Sequence, residues 1–198
     1  MYKFDHDWFS PNVTNLTRLA KGNKQAALRI LEIGSFEGMS TMFLAEQFPQ
    51  SQITCVDTWL GSVEHVGNPE IDFVKAKANF DFNISQFPHR IHPIQGNSFD
   101  VLVDLYNKKH KFDLVYVDGA HDAISVNSDL ILSFKLLNLG GLIYCDDYYW
   151  GFNEHHQKNY VFETPKMGID AFVSVYGNKL KPVLGLTNNA AVFTKVAE

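Results

Sequence analysis

The sequence predicts an α/β fold in which a mostly parallel sheet carries helices on both faces. Short apolar runs alternate along the chain with segments of helical periodicity, which is typical of parallel strands joined by crossover helices. A glycine-containing turn follows the first of these runs, where a parallel sheet commonly binds a nucleotide-like cofactor. Near the C-terminus, two strand-like runs flank a turn-forming triplet, which indicates an antiparallel hairpin.

The apolar runs predict five strands, and the segments between them predict four helices. We expect strands over residues 28–33, 53–56, 91–94, 114–117 and 142–145, and helices over 40–48, 70–80, 98–106 and 125–137. Pro49 is expected to end the first of these helices, and Asn97 or Ser98 to cap the third. The pair Gly140 and Gly141 is expected to terminate the fourth helix.

The C-terminal part is expected to form a helix over residues 168–176 and strands over 181–186 and 190–196, with Thr187, Asn188 and Asn189 as the turn. We expect one domain over residues 1–198, with 1–27 as an N-terminal lid or helix and 28–198 as a cofactor-binding core. The hydrophobic content of 45% is sufficient for a sizeable core.

Composition and charge narrow the range of partners. A net charge of −5 and a pI near 5.9 argue against nucleic acid and favour a small-molecule partner. No apolar run approaches the roughly 20 residues of a membrane span, and the N-terminus lacks a signal-peptide pattern. Cys55 and Cys145 lie in predicted buried strands, so we expect no disulfide and a cytoplasmic location without a membrane partner. The sequence leaves open whether the protein forms a homo-oligomer.

Polar residues follow each of the five predicted strands at its carboxyl end. In open α/β sheets, ligands bind beyond these ends. The residues concerned are Glu32, Gly34, Ser35, Gly38 and Ser40, then Asp57 and Thr58, then Gly96, Asn97 and Ser98, then Asp118 to His121, and finally Asp146 and Asp147. The sequence therefore predicts a ligand-binding edge that is rich in acids.

Asp57 and Glu37 indicate the class of cofactor. Asp57 ends the second strand at a distance from the glycine turn that suits a carboxylate accepting both hydroxyls of a ribose. The turn is G-x-x-x-G, without the G-x-G-x-x-G pattern of dinucleotide sites, and Glu37 places negative charge where a pyrophosphate would bind. A cofactor without phosphates, with cationic groups, is therefore favoured.

From about Leu28 to the C-terminus, these residues together resemble class I S-adenosylmethionine-dependent methyltransferases. The resemblance implies a Rossmann-like, mostly parallel seven-stranded sheet with helices on both faces and an antiparallel C-terminal strand. It also implies that the glycine loop, with Gly34, Ser35 and Gly38, lies beside the methionine part of the cofactor. By the same resemblance, Asp57 would bind the ribose, and Asn97 and Ser98 would contact the adenine. Further expected cofactor contacts are Glu32, Ser40, Thr58 and Asp118.

The segment Asp118 to His121, with Asp146 and Asp147, resembles the small-molecule O-methyltransferases that hold a divalent ion, including sugar O-methyltransferases of antibiotic pathways. That resemblance implies that Asp118, Asp146 and Asp147 ligate the metal. Carboxylates at one edge also provide the oxygen ligands that Mg²⁺ accepts. A metal-held hydroxyl loses its proton more easily, and Asp118 or His121 would take it. Alternatively, these acids cap helices or bind cofactor and substrate without metal.

The function predicted from the sequence is methyl transfer from S-adenosylmethionine to a hydroxyl of a small molecule, with Mg²⁺. The alternatives are an NAD-dependent oxidoreductase, which Asp57 would suit, and a non-catalytic S-adenosylmethionine-binding protein. Four further segments are candidates for the wall of the pocket. They are His6, Trp8 and Phe9 as a lid, Gly61 to His65 with Glu64, Tyr148 to Trp150 with Phe152, and the loop with His155 and His156. For each of them the alternative is that the side chains only pack in the core or face solvent.

Overall fold

The computed structural model describes residues 1–21, 24–62, 65, 68–151, 164–186 and 190–198. The strands are β1 (Arg29–Ile33), β2 (Gln52–Asp57), β3 (Ile91–Gln95), β4 (Phe112–Val117), β5 (Leu137–Cys145), β6 (Leu180–Pro182) and β7 (Ala191–Lys195). The helices within these ranges are α1 (Val13–Ala20), α2 (Met39–Gln47), α3 (Phe73–Ile84), α4 (Ser98–Asn107), α5 (Ala123–Leu136) and α6 (Pro165–Tyr176), with short 3₁₀ turns at Ser10–Asn12 and Gly177–Lys179.

The strands form one seven-stranded sheet in the order β3-β2-β1-β4-β5-β7-β6. Strands β1 to β5 pair in parallel, whereas β7 runs antiparallel to both β5 and β6. The chain proceeds outward from β1 to β3 and then returns to β4 on the other side of β1. This reversal is a topological switch point, where open α/β sheets bind ligands. The predicted fold class is confirmed.

Alternating side chains of the strands build a core on each face of the sheet. Leu31 and Ile33 of β1 belong to one core, together with apolar residues of α4, α5 and α6. Ile30 of the same strand belongs to the other core, with apolar residues of α1, α2 and α3. Because successive strand residues point to opposite faces, a strand covered on both sides must be apolar almost throughout. This requirement explains why the central strands were recognisable as unbroken apolar runs.

The predicted helix terminator at Gly140 and Gly141 is wrong. Helix α5 ends at Leu136, and Leu137 passes directly into extended backbone with φ −76° and ψ 136°. Both glycines lie inside β5, at an irregularity where its pairing with β4 shifts between Phe112 and Leu114. Gly140 has φ +82°, a backbone conformation that glycine adopts easily. This conformation is needed at the irregular part of the strand and not at the end of the helix.

The other expected elements are present with shifted ends. Helix α3 begins later than expected because Asp72 caps it, its side chain accepting a hydrogen bond from the backbone N–H of Lys75 at 2.9 Å. Asn97 caps α4 in the same way through the N–H of Phe99, as expected. The triplet Thr187 to Asn189 lies outside the described residues.

Cys55 and Cys145 are buried free thiols. Within the described ranges, every helix is too short or too polar to span a bilayer.

The turn after β1 requires glycine at position 34. Gly34 has φ +84°, and its N–H donates to the carbonyl of Val56 in β2 at 2.9 Å. A Cβ at this position would lie 1.9 Å from the carbonyl oxygen of Asp118, which follows β4. The backbone of the turn therefore lies directly against the end of the neighbouring strand, at the switch point of the sheet.

We predict that Gly34→Ala lowers the free energy of unfolding by more than about 4 kcal/mol, because backbone must move to admit the methyl group. Gly140→Ala is the matched control, since Gly140 also has a positive φ but no described atom lies within 4 Å of the added Cβ. Its cost should be limited to the left-handed backbone, about 1–2 kcal/mol. Urea denaturation measures both values, and equal losses would contradict this account of Gly34.

Candidate active site

A cavity of 760 Å³ opens at the carboxyl ends of the parallel strands. Most of the residues expected to bind cofactor, metal or acceptor line it: Gly34, Ser35, Ser40, Asp57, Thr58, Asn97, Ser98, Asp118, His121, Asp146 and Asp147. They come from the carboxyl ends of β1 to β5 and from the segments that follow these strands. The structure thus brings residues from five separate parts of the sequence to one cavity of the size that small-molecule sites have.

Glu32 and Gly38 do not line the cavity, although both were expected to contact the cofactor. Glu32 is fully buried, and its Oε2 accepts hydrogen bonds from the hydroxyls of Ser35, at 2.6 Å, and Thr41. Burial raises the pKa of Glu32. Gly38, the N-cap residue of α2, has φ +83°, and its N–H donates to the carbonyl of Ser35 at 2.7 Å. Glu32 and Gly38 thus stabilise the conformation of the loop after β1 without forming part of the cavity wall.

Asp57 fixes the shape of the loop between β1 and α2. Its Oδ2 accepts hydrogen bonds from the backbone N–H groups of Ser35 and Phe36, both at 2.8 Å, and its Oδ1 accepts one from the N–H of Trp59 at 2.6 Å. Phe36 and Trp59 have φ of +44° and +50°, which is uncommon for residues with side chains and is maintained here by these bonds. A carboxylate offers about four lone-pair sites, so Asp57 retains capacity for a ligand hydroxyl.

Glu37 lines the cavity, and its carboxylate is already engaged by hydrogen bonds from the protein. Its carboxylate is 2% exposed, and its Oε2 accepts hydrogen bonds from the backbone N–H groups of Asp5, at 2.8 Å, and His6, at 3.1 Å. Its Oε1 accepts a bond from Asn79 Nδ2 at 2.9 Å. The negative charge beside the start of α2 is therefore kept in place by hydrogen bonds from the N-terminal segment and α3.

The N-terminal segment forms part of the cavity wall. His6, Trp8 and Phe9, the residues expected in a lid, all line the cavity. The Trp8 ring stacks on Phe36, with centroids 4.7 Å apart, and on His65, with centroids 5.6 Å apart. Phe36 belongs to the loop after β1, so the N-terminal segment and the expected cofactor loop form a continuous surface.

Three of the cavity residues are close enough to share a cation. One ligand atom from each of Asp118, His121 and Asp147 lies within 4.8 Å of the others. His121 Nε2 lies 2.9 Å from Asp147 Oδ2. Burial, with Asp146 and Asp147 nearby, raises the pKa of Asp118 well above its usual value. Carboxylates and an imidazole fit a divalent cation, which would offset the repulsion between the acids.

Asp146, the third expected metal ligand, lines the cavity and also accepts hydrogen bonds from the protein. Its Oδ2 accepts hydrogen bonds from Asn12 Nδ2 and the hydroxyl of Tyr116, and its Oδ1 accepts one from the N–H of Asp147 at 2.8 Å. The cluster of closely spaced ligand atoms in the described residues consists of Asp118, His121 and Asp147, and the expected ligand set of Asp118, Asp146 and Asp147 stays a prediction. The sequence carries no local signal that Asn12 would lie beside Asp146.

The remaining pocket-wall candidates divide into three groups. Trp150 lines the cavity, and its ring stacks on His121 with centroids 4.5 Å apart. The hydroxyl of Tyr148 donates instead to Asp170 of α6 at 2.7 Å, outside the cavity wall. In the loop after β2, Gly61, Ser62 and His65 line the cavity. Glu64, Phe152, His155 and His156 lie outside the described residues.

Asp129 of α5 is a buried acid behind the cavity that the sequence did not single out. Its Oδ2 is 3.6 Å from the position that a Cβ on Gly119 would take, and it interacts with the hydroxyl of Ser98. Burial raises the pKa of Asp129 to about 7, a shift that Ser98 opposes. Near neutral pH the carboxyl group therefore carries a proton in part of the molecules.

A family model described as a methyltransferase domain matches residues 31–148. The chain is similar to O-methyltransferase hkm8 of Aspergillus hancockii, with 30% identity over 121 residues that make up 60% of this chain and 42% of that protein. The chain spans about half the length of the curated relatives that it matches.

Two solved structures show the same fold. The O-methyltransferase from Bacillus cereus, in complex with SAH (S-adenosylhomocysteine), has a TM-score of 0.69 and 20% identity, covering 97% of this chain and 84% of that chain. The MycE methyltransferase from the mycinamycin biosynthetic pathway, in complex with Mg, SAH and mycinamycin VI, has a TM-score of 0.64 and 21% identity, covering 98% of this chain and 51% of that chain.

We predict that Asp129→Asn makes stability less dependent on pH. The folded pKa of about 7 lies above the ordinary 3.8, so the wild-type protein loses stability as pH rises from about 4 to 7. The variant should match the wild type near pH 4 and exceed it by roughly 2–4 kcal/mol at pH 8. Urea unfolding across this range tests the prediction, with the exposed Asp81→Asn as the control. A constant difference between wild type and Asp129→Asn at all pH values would contradict it.

Proposed function

Because the chain belongs to the methyltransferase domain family, we propose that it transfers the methyl group of S-adenosylmethionine to a hydroxyl oxygen of a small molecule, with assistance from a divalent cation. The observation that carries the proposal is that the glycine loop after β1 and the cluster of Asp118, His121 and Asp147 line the same cavity. A methyl donor and a metal-held hydroxyl would then meet inside one cavity, as an in-line displacement requires.

The cofactor is proposed to follow the switch point of the sheet. Its methionine part would lie along Gly34, Ser35 and Ser40, and Asp118 would line the same region. The ribose would contact Asp57 and Thr58, and the adenine would lie near Asn97 and Ser98. The cavity position of each of these residues supports this path. The Bacillus cereus neighbour, whose structure contains SAH, has the same fold.

The cation is proposed to bind Asp118 and Asp147, with His121 or Asp146 beside it. It would supply positive charge that lowers the pKa of an acceptor hydroxyl. If Asp146 completes the cation site, the imidazole of His121, whose Nε2 lies 2.9 Å from Asp147 Oδ2, would take the acceptor proton. Asp118 is the alternative proton acceptor. Trp150 stacks on His121 and limits the orientations of its ring. The MycE structure, which has the same fold, is in complex with Mg and SAH, which supports the proposal of a cation.

We predict that SAH binds the purified protein and raises its melting temperature, whereas NAD⁺ does not. At 100 times its Kd, a ligand specific for the native state stabilises by about 2.7 kcal/mol. For a chain of this size, that corresponds to roughly 5–10 °C. Calorimetry with SAH and thermal unfolding with both ligands provide the measurements. Stabilisation by NAD⁺ alone would favour an oxidoreductase, and SAH binding without turnover of any hydroxylated acceptor would favour a non-catalytic binding protein.

We further predict that Asp147→Asn weakens binding of Mn²⁺, used as a probe for Mg²⁺, by at least about tenfold, because a carboxylate ligand is lost. Asp104→Asn is the matched control, since Asp104 is an exposed acid of α4 that pairs with Lys108. Paramagnetic resonance of free Mn²⁺ measures the affinity of each variant. Undiminished methyl transfer in the presence of a chelator would indicate a mechanism without metal.

A further inference from the structure

We propose that Glu37 is a positioning residue that holds residues 2–9, here called the N-terminal strap, against α3 and the glycine loop, and so keeps Trp8 in the cavity wall. The proposal goes beyond methyl transfer, because it concerns how the cavity is completed whatever reaction takes place in it. It rests on a buried set of hydrogen bonds between Glu37, two asparagines of α3 and the backbone of the strap.

The first part of this set is the Glu37 carboxylate. It accepts hydrogen bonds from consecutive backbone N–H groups of the strap, those of Asp5 and His6, and one from Asn79 Nδ2. Hydrogen bonds to a charged group are the stronger kind in proteins. If the strap departed, a carboxylate that is now 2% exposed would lose two of these donors.

The second part comes from α3, where Asn79 and Asn83 lie one turn apart on a buried face. Asn83 Oδ1 accepts a bond from the N–H of Lys3 at 2.8 Å, and Asn83 Nδ2 donates to the carbonyls of Lys3 and Glu37, both at 2.9 Å. Asn79 Nδ2 also donates to Asp5 Oδ2 at 3.2 Å. A buried polar network is stable only when its members are satisfied together. The strap is therefore expected to leave or stay as a unit.

The strap carries Trp8 to the cavity. Trp8 is 51% exposed, yet its ring is stacked on Phe36 and His65 and lines the cavity. Phe36 immediately precedes Glu37 in the glycine loop. The same loop thus provides both the carboxylate that holds the strap and the ring on which the Trp8 side chain stacks. A ligand that orders this loop should stabilise the strap, and an ordered strap should favour the ligand.

Hydrogen exchange measured by mass spectrometry on the ligand-free protein tests the strap directly. In Glu37→Ala, amides of residues 3–9 should exchange about 10- to 100-fold faster than in the wild type, while those of β4 stay protected. Asn83→Ala should produce the same pattern. Lys75→Ala is the matched control, because Lys75 bonds to Asp5 of the strap but is 59% exposed, and exchange should not change.

Unchanged exchange of residues 3–9 in Glu37→Ala, with β4 protected, would overturn the proposal. If Glu37→Ala loses protection in β4 as well, the isosteric Glu37→Gln replaces it. Gln keeps one acceptor oxygen for the strap, so exchange should fall between wild type and Asn83→Ala. Exchange in Glu37→Gln equal to that of the wild type would then overturn the proposal. Because these measurements need no ligand, their outcome is independent of the proposed methyl transfer.

A second measurement tests the link between the strap and the cavity. In calorimetry, SAH should bind Asn83→Ala about tenfold more weakly than the wild type, because Asn83 holds the strap without lining the cavity, and Lys75→Ala should bind it as the wild type does. In the wild type, SAH should also slow exchange of residues 3–9. Equal affinity in wild type and Asn83→Ala would contradict this link. Failure of the wild type to bind SAH would instead count against the proposed function and leave the ligand-free result in force.

Discussion

The structure of the cavity depends on the close approach of the turn after β1 to its neighbouring strands. Gly34 lies against the carbonyl of Asp118, and Asp57 accepts the backbone N–H groups of Ser35 and Phe36. These contacts bring the ends of β1, β2 and β4 together at the switch point of the sheet. A side chain at position 34, or the loss of the carboxylate at position 57, would separate the elements that carry the glycine loop and the acid cluster.

Collecting acids at one edge has an electrostatic cost, and hydrogen bonds offset part of it. Asp146 and Glu37 accept hydrogen bonds from Asn12, Tyr116, Asn79 and the N-terminal backbone. Burial beside other acids nevertheless raises the pKa of Asp146 to about 6 and the pKa of Asp118 well above its usual value. The cluster of Asp118, His121 and Asp147 is thus the part of the edge where a divalent cation would stabilise the structure most.

Much of the fold was predictable because it depends on local patterns. Strands buried on both faces are apolar runs, and a parallel sheet places their carboxyl ends at one edge, so the cavity residues could be named in advance. The roles of Glu37 and Asp146 could not be predicted from the sequence, since their partners Asp5 and Asn12 are 32 and 134 positions away along the chain. The prediction that Gly140 and Gly141 end a helix was wrong. A glycine pair after a helical pattern resembles a helix end, whereas pairing with β4 places both glycines within β5.

One cavity is proposed to hold the cofactor and a cation side by side. A crystal structure of the protein with SAH and Mn²⁺, using the anomalous scattering of manganese, tests this arrangement most directly. We expect SAH along the loop after β1, with its ribose near Asp57, and a manganese peak within coordination distance of Asp118 and Asp147. SAH bound elsewhere, or a fully occupied SAH site with no manganese at these carboxylates, would contradict it.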